Sequence, residues 1–274
     1  MKKNAENRKE ITTPVRIDYC NETNAGEPAE RNREMNNSRN AGAAANRIPM
    51  TQELFASRIE AAHAGNFRGN TDNFQNIEIA DVTLENRTLT GAEFNFAKLT
   101  DVRLSGVNLG GAEFHFAELR NVTFTDCNLG RVGFDFAAME NVTFNRCLLN
   151  SSTFDYASGN AVFTDCTVEG AEFHHSGLAV TMTRCSGGHI EICYCPELTL
   201  NAEDCDFHRG GFMDSTLRGS MKKCVFTDAD FAGSDGRELA FAECGLRDVN
   251  TCGALGISKA DDEDDDDDLD FELE

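Results

Sequence analysis

Seven of the chain's eleven cysteines recur at nearly constant spacing: Cys127, Cys147, Cys166, Cys185, Cys205, Cys224 and Cys244, in steps of 20, 19, 19, 20, 19 and 20 residues. Thiols in a regular array are the raw material of soft-metal sites and redox relays. A second cluster, "HIEICYC" at 189–195, packs His189, Cys193 and Cys195 at a density that suggests a metal site. His174 and His175 form an adjacent pair, and His115 stands apart from them. No nucleophile elbow, phosphate loop or zinc motif accompanies any of these residues. Whether they do chemistry depends on the elements that carry them.

Those elements follow a five-residue beat. Phe74, Ile79, Leu84, Leu89, Phe94 and Leu99 open a run of large apolar residues, five apart, that continues without a miss to Phe154. Two residues before most of these centres lies a small or β-branched partner, such as Ala92, Ala97, Val102 or Val107. The pattern is in–out–in–out–out. Its first three residues obey strand alternation, and the extra outward residue forces a corner. Neither a helix period nor a plain strand period fits. A longer period is also visible: "AEFNFAKLTDVRLSGVNLGG" (92–111), "AEFHFAELRNVTFTDCNLGR" (112–131) and "VGFDFAAMENVTFNRCLLNS" (132–151) align column for column. Four corners thus close a coil of about twenty residues, and about nine such coils make a rod roughly 40 Å long at the strand spacing. A single coil cannot stand alone, because ordering each residue costs about 1–2 kcal/mol while a buried Phe or Leu contributes about 1.5–3 kcal/mol. Only stacking closes the gap.

This register gives the candidate chemistry a plain reading. Each ladder cysteine falls in the inward slot two residues before a centre, as Cys127 before Leu129 and Cys224 before Phe226. A buried thiol there is a small hydrophobe. Thiols stacked one strand spacing apart, about 4.8 Å, stand slightly too far apart for an unstrained disulfide. In "HIEICYC", Cys193 points outward and Cys195 inward, which is poor chelation. His174 and His175 lie outside, in a column shared with His115, and no nucleophile or carboxylate partner is evident from the sequence. We therefore expect no catalytic residue, no metal, no cofactor and no enzymatic activity.

The motif of a small residue, a polar one, Leu or Phe, and two variable residues, seen in "AEFHF", "AELRN" and "ADFAG", resembles that of the pentapeptide-repeat family. The resemblance covers about residues 72–251. It implies an all-β fold, a right-handed parallel β-helix (a quadrilateral solenoid of about nine coils), in which no motif residue is catalytic. The expected organisation is a disordered polar head (1–48), a short N-terminal capping helix (49–66), the repeat β-helix (67–251) and a C-terminal loop with an acidic tail (252–274). In the helix, Thr51 is the expected N-cap, Gly65 the stop, and Phe55, Ile59 and Ala62 the buried stripe.

Charge and exposed apolar groups supply the functional candidates. The net charge is −22, which argues against direct nucleic-acid binding and favours a basic or DNA-binding protein as partner. No stretch reaches the length of a membrane span. The absence of a secretory signal predicts synthesis in a reducing cytosol, with non-classical export left open. Phe96, Phe116, Phe136 and Tyr156 recur at one outward corner, where a strip of aromatics is rarely left bare. Three readings stand: the N-terminal segment covers it, a partner binds it, or a tilt half-buries the rings. In the second half of the rod the column passes to His175, Tyr194, Asp214 and Gly233, so the strip is expected only in the N-terminal half. Leu269, Phe271 and Leu273 alternate with acids in the tail and are a second partner-binding candidate. Val249, Leu255 and Ile257 either fold over the last coil or form a homodimer contact, and the family resemblance favours the dimer. Two functions follow: a non-catalytic protein-interaction module, with the polar head suggesting a secreted bacterial effector, or an acidic DNA mimic that binds DNA gyrase or another type II topoisomerase.

Overall fold

The inward columns close into a stack of parallel coils. A computed structural model describes residues 47–64 and 73–257. Along one edge the backbone pairs Asn73 with Glu93, Glu93 with Glu113 and Glu113 with Gly133, and nine such parallel bridges in succession lead to Asn250. Each step spans 19 or 20 residues. The thirteen strands form one sheet. The early coils contribute two short strands each: β2 (Ile77–Ala80) and β3 (Thr83–Glu85), β4 (Lys98–Thr100) and β5 (Arg103–Ser105), β6 (Glu118–Arg120) and β7 (Thr123–Thr125). Later coils fuse the pair into one: β8 (Ala138–Asn145), β9 (Ser158–Thr164), β10 (Gly177–Thr183), β11 (Leu198–Glu203), β12 (Thr216–Lys222) and β13 (Asp235–Ala242).

The five-spaced centres from Phe74 to Phe154 are all buried, and so are their small partners. Their rings stack coil upon coil: Phe94 lies 4.7 Å from Phe114, Phe114 5.2 Å from Phe134, and Phe154 4.6 Å from Phe173. A second column, Phe124, Phe144 and Phe163, meets the first edge-on. Such pairs add about 0.5–1.5 kcal/mol beyond their burial.

Corners are made by residues with positive φ, one every five: Phe96 (61°), Asp101 (54°), Gly106 (62°) and Gly111 (69°). At the Phe96 corner, Ala97 N–H donates to Phe94 O at 3.0 Å, closing a four-residue turn with Phe96 third. That is the position at which such turns demand positive φ. At the Asp101 corner, Asn121 and Asn141 repeat the left-handed geometry, and their side chains link the coils, Asn141 Nδ2 donating to Asn121 Oδ1 at 3.0 Å. In the next coil that corner straightens. Between β8 and β9 the register shifts by one residue, and Gly159 sits at φ 101° where a Cβ would collide with the carbonyl oxygen of Met139. The step from 20 to 19 residues is the loss of this corner residue.

The thiol ladder belongs to the Gly106 corner. Each cysteine donates to the carbonyl two residues before it, Cys127 to Thr125 O and Cys147 to Asn145 O at 3.3 Å each, Cys166 to Thr164 O at 3.3 Å. Six of the seven are buried and Cys244 is half-buried. A thiol here fills the volume of Val107 and adds a weak donor for an inward carbonyl. Ser215 does the same at the Phe96 corner, donating to Met213 O at 3.0 Å.

At the N-terminal end, β1 (Ile48–Met50) adds a parallel strand to β2, so ordered backbone begins before the expected helix. Helix α1 (Gln52–Ala64) follows, capped by Thr51 Oγ1, which accepts from Leu54 N–H at 3.3 Å. Phe55 and Ile59 are buried, and Phe55 packs edge-on against Phe74 at 5.1 Å. Gly65 lies outside the described residues, as do 1–46 and 258–274. At the other end the chain covers its own last coil. Gly236 N–H donates to Leu255 O, and Val249 and Ile257 are buried within the chain. Of the three residues expected at a dimer contact, only Leu255 is exposed; the loop folds back because its backbone completes the last rung of the ladder.

Two measurements check this packing. In a Cys20→Ser variant, native thiol titration is expected to register Cys252 promptly and Cys244 slowly, and the other eight described thiols only on unfolding. Prompt reaction of all ten would mean the columns do not face inward. Phe134→Ala, deep in the ring stack, should destabilise by about 3–5 kcal/mol. Phe116→Gly should cost much less in a urea midpoint. Glycine at φ 58° relieves about 1–2 kcal/mol of left-handed strain, against the lost stacking of about 0.5–1.5 kcal/mol per pair.

Candidate functional site

The repeated corner places aromatic side chains one above another on the outside. Phe96 and Phe116 stack at 5.0 Å, Phe116 and Phe136 at 4.7 Å, Phe136 and Tyr156 at 4.7 Å with parallel rings. All four are half-buried at the corner. The ladder does not stop there. His175 stacks on Tyr156 at 4.8 Å and Tyr194 on His175 at 5.6 Å, so the strip extends into the second half of the rod, contrary to the expectation from the sequence. A flat imidazole continues a ring stack as well as a phenyl does. Beside the first rung lies Arg47, whose Nε donates to Phe96 O at 3.2 Å and whose guanidinium pairs with Glu118 at 2.8 Å. The arginine side chain is only 5% exposed. The groove beside the aromatic corner thus accepts a guanidinium.

The face leading into this corner is acidic. Its two outward columns are Glu93, Glu113, Gly133, Thr153, Glu172, Glu191, Gly211, Asp230 and Asn250, and Asn95, His115, Asp135, Asp155, His174, Cys193, Met213 and Ala232. They hold seven carboxylates and neither Lys nor Arg. The corner at Asp126 is different. There Asp126, Arg146, Asp165, Arg184, Asp204, Lys223 and Glu243 alternate in sign up the stack. Arg146 Nε meets Asp126 Oδ1 at 2.8 Å, and Arg184 Nε meets Asp165 Oδ1 at 2.6 Å. Negative charge therefore concentrates beside the aromatic ladder and cancels along the Asp126 corner.

His174 stands in the middle of the acidic face. Its Nδ1 is 3.6 Å from Asp155 Oδ1 and 3.9 Å from Glu172 Oε2, and its Nε2 is 3.5 Å from Glu191 Oε2. Hydrogen bonding to Asp155, then to Cys193 and Glu191, pushes its pKa up to about 12 against the opposing effect of burial. Burial in turn raises Glu172. Burial lowers the neighbouring His175, assisted by the charge on His174. The sequence reading gave these histidines no carboxylate partner. His174 acquires three, because 19-residue steps set Asp155, His174 and Cys193 one above another and bring Glu172 and Glu191 alongside. The 19-residue spacing of Asp155, His174 and Cys193 carries that signal in the sequence, across motifs that look local. His189 does not join Cys193; it meets His208 instead, with ring centroids 5.8 Å apart. Cys193 lies in an outward column yet is 1% exposed, and Cys195 is inward with its thiol pushed up to about 12 by burial. Leu269, Phe271 and Leu273 lie outside the described residues. Among the described residues no helix is long and apolar enough to cross a membrane.

Residues 77–154 match the family model described as pentapeptide repeat region. No curated protein sequence matches the chain. Similar solved structures include HetL, a pentapeptide repeat protein involved in heterocyst differentiation regulation from the cyanobacterium Nostoc sp. strain PCC 7120. It is 15% identical, with 76% of this chain and 93% of that chain covered and a TM-score of 0.45. A trypsin-treated form of QnrB1, a plasmid-mediated fluoroquinolone resistance protein, is 17% identical over 66% of this chain and 82% of that chain, with a TM-score of 0.31. A pentapeptide repeat protein from the Arabidopsis thaliana thylakoid lumen is 24% identical over 35% of this chain and 63% of that chain, with a TM-score of 0.28. The five-residue beat, the parallel coils it builds and the family match agree over residues 77–154, which form a pentapeptide repeat region.

Proposed function

We propose that the solenoid is a non-catalytic protein-binding rod whose partner is a basic protein. The observation that carries this reading is the pairing of a continuous aromatic ladder with an adjoining face of seven carboxylates and no Lys or Arg. Aromatic rings supply area at low entropic cost, and the carboxylates select a positive surface and speed its approach. Arg47, seated between Phe96 O and Glu118, is an internal example of the contact a partner arginine would make.

The net charge also favours a second reading, an acidic DNA mimic directed at DNA gyrase. Residues 73–257 carry 13 basic and 26 acidic groups, a net of −13. A secreted-effector role rests on the polar head and is separable from both.

In an affinity capture against bacterial extract, Phe116→Ser/Phe136→Ser is expected to lose the partners that the whole chain and a version lacking 260–274 both retain. Equal capture by the double variant, with its fold intact by circular dichroism, would remove the aromatic corner from the interface. A gyrase supercoiling assay decides the mimic: unchanged activity at high molar excess counts against it. A reporter fused to residues 1–50 and retained inside a secretion-competent strain counts against export.

A further inference from the structure

The cluster around His174 has the donors and the geometry of a metal site. We propose that Asp155, Glu172 and His174 bind a divalent first-row transition ion of the zinc class.

One donor atom from each of Asp155, Glu172 and His174 lies within 4.8 Å of the other two. Both carboxylates face the same imidazole nitrogen, Nδ1, at 3.6 and 3.9 Å. An ion centred in that triangle stands roughly 2.1–2.4 Å from each atom, against the ~2.0–2.2 Å of zinc–nitrogen and zinc–oxygen bonds. Side-chain adjustments of a few tenths of an ångström close the difference.

One further feature points to an ion rather than to a charge cluster alone. The other imidazole nitrogen, Nε2, faces the carboxylate of Glu191 at 3.5 Å. That is the outer partner which fixes the tautomer and orientation of a metal-binding histidine.

A donor set of one imidazole and two carboxylates suits zinc, cobalt or a similar ion, since calcium and magnesium prefer oxygen ligands alone. Even with His174 protonated, Asp155, Glu172 and Glu191 leave a formal charge of −3 + 1 = −2, which attracts a cation. On binding, the Nδ1 proton leaves to solvent and the ion takes its place, while Nε2–H keeps its bond to Glu191.

The test is a zinc titration of the metal-stripped full chain beside His174→Gln and Asp155→Asn, all three retaining the acidic tail. The wild type should take up one equivalent more than His174→Gln, and Asp155→Asn should bind that equivalent at least tenfold more weakly. Glu191→Gln, which leaves every proposed ligand in place, should weaken it by about 10–100-fold. With cobalt in place of zinc, the visible bands of the bound ion should appear in the wild type and vanish in His174→Gln. Thermal midpoints in chelator establish that the variants fold, and Asp155→Asn carries the comparison if His174→Gln does not. Identical zinc isotherms for the wild type and the folded variants, which would place the ion on the tail, overturn the proposal. So does displacement of the zinc by an equal concentration of magnesium.

Discussion

Everything in this molecule hangs on the parallel backbone ladder between residues 19 or 20 apart. Within a coil only corner turns close, as Ala97 N–H does on Phe94 O, and the strands find their partners in the coils above and below. Phe94 N–H reaches Glu113 O in the coil above, and Glu113 N–H reaches back to Ala92 O. Buried or edge-facing amides left unpaired are expensive, so each coil is stable only when its neighbours hold the same path. That path requires a left-handed residue at every corner, which explains why phenylalanine, arginine and serine occupy φ values usually left to glycine or asparagine. The strain at each corner is offset by what the neighbours provide. Rings stack on rings at Phe96, amides link amides at Asn121, and opposite charges pair at Asp126.

Exact stacking has a second consequence for chemistry. A residue type repeated in a column meets itself every coil, which is favourable for aromatics and unfavourable for like charges. The Asp126 corner answers by alternating sign. The acidic face answers by inserting histidine: His115 sits 3.4 Å from Asp135, and His174 lies among Asp155, Glu172 and Glu191. The carboxylates there exceed the imidazoles, so this face keeps a negative charge beside an aromatic edge. Recognition chemistry in such a rod is a property of columns, and no single coil carries it.

The fold was largely legible in the primary structure. Five-residue spacing of Phe and Leu predicts corners because the extra outward residue in each unit cannot be absorbed by a straight strand, and the centres from Phe74 to Phe154 are indeed inward. The cysteine ladder was legible as structure for the same reason. The aromatic corner was visible as far as Tyr156, and its continuation through His175 and Tyr194 was missed because imidazole is not an aromatic hydrophobe by composition. Ile48–Met50 gave no sign of a strand, since three residues carry no period of their own and pair only because β2 presents an open edge.

What the sequence by itself determined is periodic: the inward columns, the corner positions, the circumference of a coil and the excess of acid. These follow from local geometry repeated many times, which is why one chain suffices to read them. What only the tertiary structure decided is the neighbourhood of each outward side chain. Residues 155, 174 and 193 become adjacent because Gly159 removes one corner residue and the next coil again takes a 19-residue step. A shift of one residue would have put Tyr156 or His175 in that place, and with it a different chemistry on the same face.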